Sequence, residues 1–188
     1  MYVKIDLTNI VLKTERLTLK LFEYSDLEDF YEYAKVSGVG ESAGWNSHRS
    51  IDESARILES FIKTKNVFAI HKNADNGKCI GSFGFHSYDT KVFPEFDKKK
   101  VVMLGIVLAK NYWGKGLGTE TLKHCLDFVF NHYDVDICLA SAFNFNKASL
   151  RIQEKCGLKK YKTYTLVTSA QTAKATANII KREDFFGK

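Results

Sequence analysis

The chain has 188 residues, 45% of them hydrophobic, and a formal net charge of +6 from 28 Lys and Arg against 22 Asp and Glu. This size suits one globular domain with a substantial core. No stretch approaches the roughly 20 consecutive apolar residues that span a bilayer, and the N-terminus lacks a signal-peptide pattern. We therefore expect a soluble cytoplasmic protein that makes no contact with a membrane.

The positive charge favours an anionic ligand, but the basic residues are scattered. Their densest run, 98–100, is typical of a solvated loop, so we expect no direct nucleic-acid binding. The four cysteines show neither a CxxC pattern nor a short Cys/His spacing, and each lies in an apolar segment. The sequence therefore predicts reduced core thiols and no metal site. These cysteines are Cys79, Cys125, Cys138 and Cys156.

The first third of the chain predicts a strand and two capped helices. Leucines alternate with polar residues over 16–22, which is the period of a half-buried strand. Residues 25–28 have the spacing of a capping box, and apolar residues follow at helical intervals. A second capping box at 50–53 opens another helix. The segment 37–48 between them is rich in glycine and serine and predicts a loop.

The middle of the chain predicts a hairpin and a further strand. Two strand-like runs, 67–71 and 78–88, flank the turn-like segment 73–77. The only proline, Pro94, breaks the pattern before the apolar run 101–108 resumes as a strand.

The last third predicts two helices and three strands. Residues 119–130 have a helical apolar period, and 135–143 is strand-like. Asn146 is placed to cap a short helix over 147–156, which Gly157 would end.

Two final strands, over 158–167 and 176–186, would flank the loop 168–174. There is no internal repeat, low-complexity segment or linker. The sequence therefore predicts one α+β domain over residues 1–188.

The stretch WGKGLG, residues 113–118, stands between the strand 101–108 and the following helix. Such a turn directs several unpaired amides and the positive end of the helix dipole at one point. Without side chains at Gly114, Gly116 and Gly118, the oxygens of a phosphate can approach those amides. The spacing is neither GxxxxGK[ST] nor GxGxxG, so two familiar nucleotide motifs are absent. A purely structural turn remains the alternative.

Three segments together resemble a known family. Residues 104–130, LGIVLAKNYWGKGLGTETLKHCLDFVF, resemble the acetyl-CoA-binding core of the GNAT N-acetyltransferase superfamily, and 143–158 resemble its next motif. Residues 12–30 resemble the opening strand and helix of the branch that includes ribosomal-protein N-terminal acetyltransferases. The resemblance implies the GNAT fold, a mixed, mostly antiparallel twisted sheet with a splayed strand pair and flanking helices.

The resemblance also assigns residues to acetyl-CoA, the implied co-substrate. Main-chain groups of Ile106 and Leu108 would bind the pantetheine arm. Asn146 would bond the pantetheine or the acetyl-bearing end, a role compatible with capping its helix. The amides expected to hold the pyrophosphate belong to Gly114, Lys115, Gly116, Leu117, Gly118 and Thr119.

Acyl transfer to an amine needs a proton acceptor, donors for the oxyanion and a proton for the leaving thiolate. Many superfamily members place a tyrosine acid where this chain has Gln153. The ribosomal-protein branch typically has a serine in the preceding turn, so the resemblance implies Ser149 as the acid, with a capping or helix-surface serine as the alternative. Many also place a glutamate base where this chain has Leu104. Glu41, His86 or a water chain are the alternative bases, and a structural role for His86 stays open.

In the fold that the resemblance implies, the loop between the two early helices borders the acceptor groove. Trp45 would line the groove or be buried, and Glu41 would contact the acceptor. The resemblance thus implies an acetyl-CoA-dependent N-acetyltransferase, monomeric or homodimeric, with the N-terminal amine of a ribosomal or other protein as acceptor. Two alternatives stay open, which are a small-molecule amine acetyltransferase and a non-catalytic acyl-CoA sensor.

Overall fold

A computed structural model describes residues 1–187 and contains one eight-stranded sheet in the order β1-β2-β3-β4-β5-β6-β8-β7. All neighbouring strands are antiparallel except β5 and β6, which are parallel. The predicted fold class is confirmed. The strands are β1 Leu12–Lys13, β2 Leu17–Leu21, β3 Val67–Lys72, β4 Lys78–His86, β5 Val101–Leu108, β6 Ile137–Phe143, β7 Lys159–Val167 and β8 Thr172–Lys181. The helices are α1 Leu27–Ala34, α2 Val39–Ala43, α3 Ile51–Thr64, α4 Leu117–His132, α5 Lys147–Lys155 and α6 Arg182–Phe186.

The two faces of the sheet are covered by different helices because strand side chains alternate between faces. One face packs under α4, with Phe83 and Phe85 of β4 fully buried there. The opposite face packs under α1 and α3, where Phe30 and Leu58 are buried. Burial of each such side chain stabilises the fold by about 1.5–3 kcal/mol. Among the helices within residues 1–187, none is long and apolar enough to cross a membrane.

The splay between β5 and β6 is the feature that positions the site. The ladder between them covers only Val101–Leu104 of β5, paired with Ile137–Ala140 of β6. Both strands continue beyond it, and β6 instead keeps its antiparallel partner β8 through to Phe143. The two carboxyl ends therefore diverge, which opens a wedge in the sheet beside the glycine-rich loop.

Several local predictions are confirmed. Ser50 caps α3 by accepting a hydrogen bond from the Glu53 amide, 3.2 Å away. Asn146 caps α5 through the Ser149 amide at 3.1 Å, and Gly157 ends that helix with a positive φ of 89°. All four cysteines are thiols, and three are buried while Cys156 is half-buried.

Three local predictions are wrong. The segment 37–48 contains the short helix α2, because glycines with positive φ stand at both of its ends and leave five helical residues between them. Ser25 does not cap α1, since residues Tyr24–Asp26 form a 3-10 turn in which Asp26 accepts from the Glu23 amide.

The last strand also differs from the expectation. It begins at Thr172, because the hairpin with β7 is closed by a tight turn in which the Thr168 amide donates to the Gln171 carbonyl. It ends at Lys181, and α6 follows with Phe185 packed on Phe130 at a ring separation of 4.8 Å.

Candidate active site

The glycine-rich loop has the open geometry that a bound anion needs. Gly114 and Gly116 have φ values of 74° and 79°, a left-handed conformation that favours glycine. Nothing lies within 4 Å of a Cβ built on Gly114. α4 begins immediately afterwards at Leu117, so the amides of its first turn have no partner inside the helix. Exposed amides and the helix dipole therefore converge beside the wedge between β5 and β6.

Two of the predicted residues in this loop have packing roles. Leu117 is 1% exposed and belongs to the core, so only its main chain can face a ligand. A Cβ on Gly118 would lie 2.8 Å from Ile152 Cδ1. The third glycine of the motif therefore allows α4 to approach α5, and Thr119 accepts a hydrogen bond from the Cys156 thiol there.

An ion pair that the sequence motifs did not indicate holds the loop in place. Arg16, the residue before β2, pairs with Glu120 in the first turn of α4 at 2.6 Å. Arg16 also donates through Nη1 to the Lys115 carbonyl at 2.9 Å. Glu120 further accepts from the Thr14 hydroxyl and the Arg16 amide. Burial alone would raise the pKa of the Glu120 carboxyl, but these hydrogen bonds outweigh it and lower the pKa.

The strand end beside the loop offers fewer free groups than expected. The indole of Trp113 donates to the Leu108 carbonyl at 2.7 Å, so that carbonyl is already engaged. Ile106 is half-buried and lies beyond the last residue that pairs with β6. The Lys115 ammonium lies over the Tyr112 ring, 5.4 Å from its centre. The main chain of Ile106 and the Leu108 amide are therefore the groups that could meet a ligand in the wedge.

A chain of hydrogen bonds lies at the carboxyl end of β6. The buried Asn178 of β8 donates to the Gln153 carbonyl oxygen at 2.8 Å, and Gln153 donates through Nε2 to the Ser149 hydroxyl at 3.2 Å. Asn146 donates to the Ser42 carbonyl of α2 at 3.1 Å while it accepts from the Ser149 amide. The half-buried Ser149 hydroxyl thus sits beside the wedge with its oxygen fixed by an amide donor.

The alternative bases occupy different environments. Both carboxylate oxygens of Glu41 accept hydrogen bonds, from the Gly38 amide at 2.7 Å and the Ser47 hydroxyl at 2.8 Å. Its own main-chain amide and the Ser47 hydroxyl help to lower the pKa of Glu41. Leu104 is 4% exposed and faces α4. A glutamate base at that position would therefore point into the core.

His86 lies on the other face of the sheet, the face of α1 and α3. Its ring covers Gly84 and Gly105, and a Cβ on Gly84 would fall 2.1 Å from Nε2. The residue is exposed overall, yet the ring lies against the strands, and this burial lowers the pKa of His86. Because its pKa is lowered, the His86 imidazole is neutral at pH 7 and can accept a proton.

A cavity of about 470 Å³ opens on this same face. Trp45 lines it, and its ring also packs so closely on Gly40 that a Cβ there would lie 2.3 Å from Cε3. Trp45 is half-buried, and its role at an acceptor groove stays a prediction. His48 is buried against Phe30 and bonds the Ser54 hydroxyl through Nδ1 at 2.7 Å. The lining residues are Phe30, Trp45, Asn46, His48, Glu53, Ile57, Phe61, Ser82 and Ser169.

A buried cluster that sequence spacing did not indicate joins α1 to the sheet. Asp26, His71 and Cys79 bring potential ligand atoms within 4.8 Å of one another. The Asp26 carboxylate and His71 Nε2 are 2.9 Å apart. Burial raises the pKa of the Cys79 thiol well above its usual value, so the thiol stays protonated. We assign this cluster to packing of α1 on β3 and β4.

Comparisons with curated proteins found relatives of this chain. The curated proteins YkkB and YnaD of Bacillus subtilis strain 168 match the chain. YkkB is 33% identical over 94 residues, half of this chain and 51% of YkkB, so that match spans only about half of the relative. YnaD, described as an N-acetyltransferase, is 24% identical over 149 residues, which cover 79% of this chain and 82% of YnaD.

Solved structures share the fold at low sequence identity. An acetyltransferase of the GNAT family from Bacillus anthracis has a TM-score of 0.78 and 20% identity over 93% of this chain and 99% of its own. A spermidine N-acetyltransferase from Vibrio cholerae, solved with CoA and spermine, has a TM-score of 0.74 and 15% identity over 92% and 99%. A ribosomal L7/L12 alpha-N-protein acetyltransferase, solved with coenzyme A, has a TM-score of 0.73 and 9% identity over 93% and 99%.

The family model for the acetyltransferase (GNAT) domain matches residues 16–159. That match includes the start of β2, the wedge, the glycine-rich loop and the helix that carries Ser149, and it spans well over half of the chain. The protein therefore belongs to the GNAT acetyltransferase family.

Proposed function

We propose that the protein transfers an acetyl group from acetyl-CoA directly to a primary amine. The observation that carries this proposal is the wedge between β5 and β6, which opens beside the glycine-rich loop, where Gly114 to Gly116 are exposed. An extended thiol arm fits such a wedge, and a pyrophosphate fits the loop amides. Membership of the GNAT family supports the same activity.

The residues present fit acetyl-CoA. The amides from Gly114 to Thr119 would hold the pyrophosphate, because Gly114, Lys115 and Gly116 are exposed and nothing lies within 4 Å of a Cβ built on Gly114. The main chain of Ile106 and the Leu108 amide would meet the pantetheine arm, while the Leu108 carbonyl stays with Trp113. Asn146 keeps the α2 segment against the end of β6 through Ser42. When bound, acetyl-CoA supplies the thioester whose acetyl group passes to the amine.

The residues around Ser149 supply a proton donor. Because Gln153 donates to the Ser149 oxygen, the hydroxyl proton of Ser149 must point to a different acceptor. The helix that carries Ser149 starts at the carboxyl end of β6, beside the wedge. This hydroxyl would therefore donate to the sulfur that leaves. Removal of the amine proton is assigned to His86 or to a chain of water, since the Glu41 carboxylate is already engaged within its own loop.

The acceptor belongs to one of two classes. The resemblance of residues 12–30 to the ribosomal-protein branch supports a protein N-terminus, whereas the likeness to a spermidine acetyltransferase supports a small amine. Both carry a primary amine that must be neutral to attack. Release of the thiol from acetyl-CoA would distinguish an enzyme from a sensor that binds acetyl-CoA without turnover.

The first test is binding of acetyl-CoA followed by thiol release. Acetyl-CoA at a hundred times Kd should stabilise the native state by about 2.7 kcal/mol in a thermal melt. Ser149→Ala should lower kcat roughly 10²-fold while acetyl-CoA affinity stays the same. Ser60→Ala, an exposed serine on α3, is the matched control and should match wild type. An unchanged melt with millimolar acetyl-CoA would overturn the proposal, and binding without thiol release from any amine would leave a sensor.

A further inference from the structure

We propose that the cavity between α1, α3 and the sheet binds the acceptor, and that the acceptor is a monoamine carried on an aromatic or branched aliphatic body. This inference rests on the proposed function and names its substrate class. A small aromatic amine combines one amine with an apolar body, and so does the N-terminus of a peptide whose first side chain is apolar.

The lining of the cavity is the first argument. Phe30, Trp45, Ile57 and Phe61 line one connected surface and belong to the hydrophobic cluster under α1 and α3. The Phe30 and Phe61 rings are 5.8 Å apart, and Trp45 stands 5.1 Å from the His48 ring. Aromatic rings held in place in this way bind flat or branched apolar groups, because contact with the rings removes apolar surface of the ligand from water.

The charge around the cavity is the second argument. Glu53 is the single carboxylate among the lining residues of the described chain, and the Arg49 amide fixes its Oε2 at 2.8 Å. Arg49 and Arg56 lie close enough to interact with Glu53, while burial lowers the pKa of His48 and keeps it neutral. One carboxylate can attract one ammonium group. The second and third ammonium groups of a polyamine would find no further carboxylate among the lining residues, and Arg49 and Arg56 near Glu53 would repel them.

The position of the cavity is the third argument. Ser82 lines it from β4, directly opposite Val107 of β5 in the ladder. Val107 stands between Ile106 and Leu108, the two residues expected to meet the pantetheine arm, and its side chain joins the same cluster as Trp45. Asn46 donates to the Ser169 carbonyl at 3.2 Å, which closes the side of the cavity toward the β7–β8 turn. The cavity therefore lies against the strand that borders the wedge.

The first measurement compares acceptors at saturating acetyl-CoA. We expect kcat/KM for 2-phenylethylamine to exceed the values for ethylamine and spermidine by about tenfold or more, since apolar pocket contacts discriminate on that scale. A peptide with N-terminal Phe is compared with one that begins with Ser to separate a protein N-terminus from a small amine. A preference for spermidine over 2-phenylethylamine would overturn the proposal.

The second measurement uses variants of the first turn of α3. Glu53→Gln keeps the hydrogen-bond acceptor for Arg49 and removes the charge, so KM for 2-phenylethylamine should rise about fivefold with KM for acetyl-CoA unchanged. Asp52→Asn removes the neighbouring acid, which is exposed and outside the cavity, and should leave both KM values at wild type. Equal effects of the two substitutions would overturn the role of Glu53.

A binding measurement separates this inference from the proposed activity. The chain has two tryptophans, so Trp113→Phe leaves Trp45 as the reporter in the cavity. Titration with 2-phenylethylamine should change Trp45 fluorescence saturably, and spermidine should not. Thiol release is measured with the wild-type protein, because Trp113 bonds the Leu108 carbonyl beside the acetyl-CoA loop. Fluorescence change in Trp113→Phe with no thiol release from wild type would support the cavity and contradict the activity. Thiol release from amines without any fluorescence change would support the activity and contradict the cavity.

Discussion

Gln153 donates a hydrogen bond to the Ser149 hydroxyl through Nε2 at 3.2 Å, while its carbonyl oxygen accepts from Asn178 at 2.8 Å. Gln153 is 4% exposed and Asn178 is 2% exposed, so the amide has little freedom to turn. Because these hydrogen bonds run from Asn178 through Gln153, the Ser149 hydroxyl accepts from Gln153 and must donate its own proton to another group. Gln153 and Asn178 are therefore positioning residues for the proposed acid.

Gln153→Glu tests that direction. An ionised carboxylate would accept the Ser149 proton, so kcat should fall by about 10²-fold at pH values where the introduced group is charged. Burial raises the pKa of such a carboxyl, and its protonated form can donate to Ser149 as the amide does. The ratio of variant to wild-type kcat should therefore recover as pH falls. The measurement is kcat across pH for both proteins.

The control for this experiment is Gln153→Leu. It removes the donor and leaves the Asn178 amide without its partner, so it should lower kcat and stability by amounts that do not depend on pH. If the variant-to-wild-type ratio for Gln153→Glu is flat across pH as well, Gln153 has only a packing role.

Arg16 and Glu120 link the first long strand to the glycine-rich loop. The Glu120 side chain is 11% exposed and accepts from Arg16 and Thr14, whereas Arg16 is 39% exposed. Glu120→Gln should destabilise the fold by about 1–2 kcal/mol once screening around Arg16 is allowed for. It should also weaken acetyl-CoA binding, because Arg16 fixes the Lys115 carbonyl. Urea unfolding and calorimetric titration measure the two effects.

The pH dependence of that loss has a definite sign. The pKa of Glu120 is lowered in the folded protein, so the stabilisation is present above the unfolded-chain value of about 4.3. It is lost as pH falls through the folded value. The stability difference between wild type and Glu120→Gln should be constant from about pH 6 to 8 and shrink in acid. Glu59→Gln, a helix-surface acid paired with Lys63, is the control and should change stability by less than about 0.5 kcal/mol.

The sequence predicted those parts of the site that depend on local pattern. The positive φ values of Gly114 and Gly116, the cap at Asn146 and the start of α3 all follow from residue types at fixed spacing. The Arg16–Glu120 ion pair did not follow, because it joins residues 104 positions apart along the chain. α2 was missed because one glycine within it and one at each of its ends give the segment the composition of a loop.

The candidate bases show the same limit. Glu41 and His86 were equivalent in sequence as titratable residues near the expected groove. Their surroundings differ in the structure. The Glu41 carboxylate accepts a hydrogen bond from the amide of Gly38, which precedes its own helix α2, whereas the His86 ring lies over two glycines of β4 and β5. The sequence also left open which face of the sheet Leu104 occupies. That face depends on how β5 pairs with its two neighbouring strands, β4 and β6.

Gly40→Ala tests the link between α2 and the cavity. The added Cβ would lie 2.3 Å from the Trp45 ring and 2.6 Å from the Trp45 carbonyl, so the ring must move. Overpacking of this kind destabilises by about 1–3 kcal/mol. KM for the acceptor should rise more than Kd for acetyl-CoA, because the added Cβ meets Trp45, which lines the cavity.

Gly77→Ala is the control for Gly40→Ala. Gly77 has a positive φ of 72° but nothing within 4 Å of a built Cβ. It should cost about 1 kcal/mol through backbone strain without any change in KM. Trp45 fluorescence that is identical in Gly40→Ala and wild type would contradict the contact on which this prediction depends.

His86→Gln tests how the acceptor amine loses its proton. Burial lowers the pKa of His86 below 6.5, so a base at this position would give kcat/KM an acidic limb below that value. We expect the profile instead to follow the acceptor, with a limb near 8 for an α-amino group and above about 10 for an alkylamine. His86→Gln should then keep the wild-type profile, with its fold checked by circular dichroism. A limb below pH 6.5 in wild type that disappears in a folded His86→Gln variant would contradict this expectation and make His86 the base, which its place over Gly84 and Gly105 on the cavity face allows.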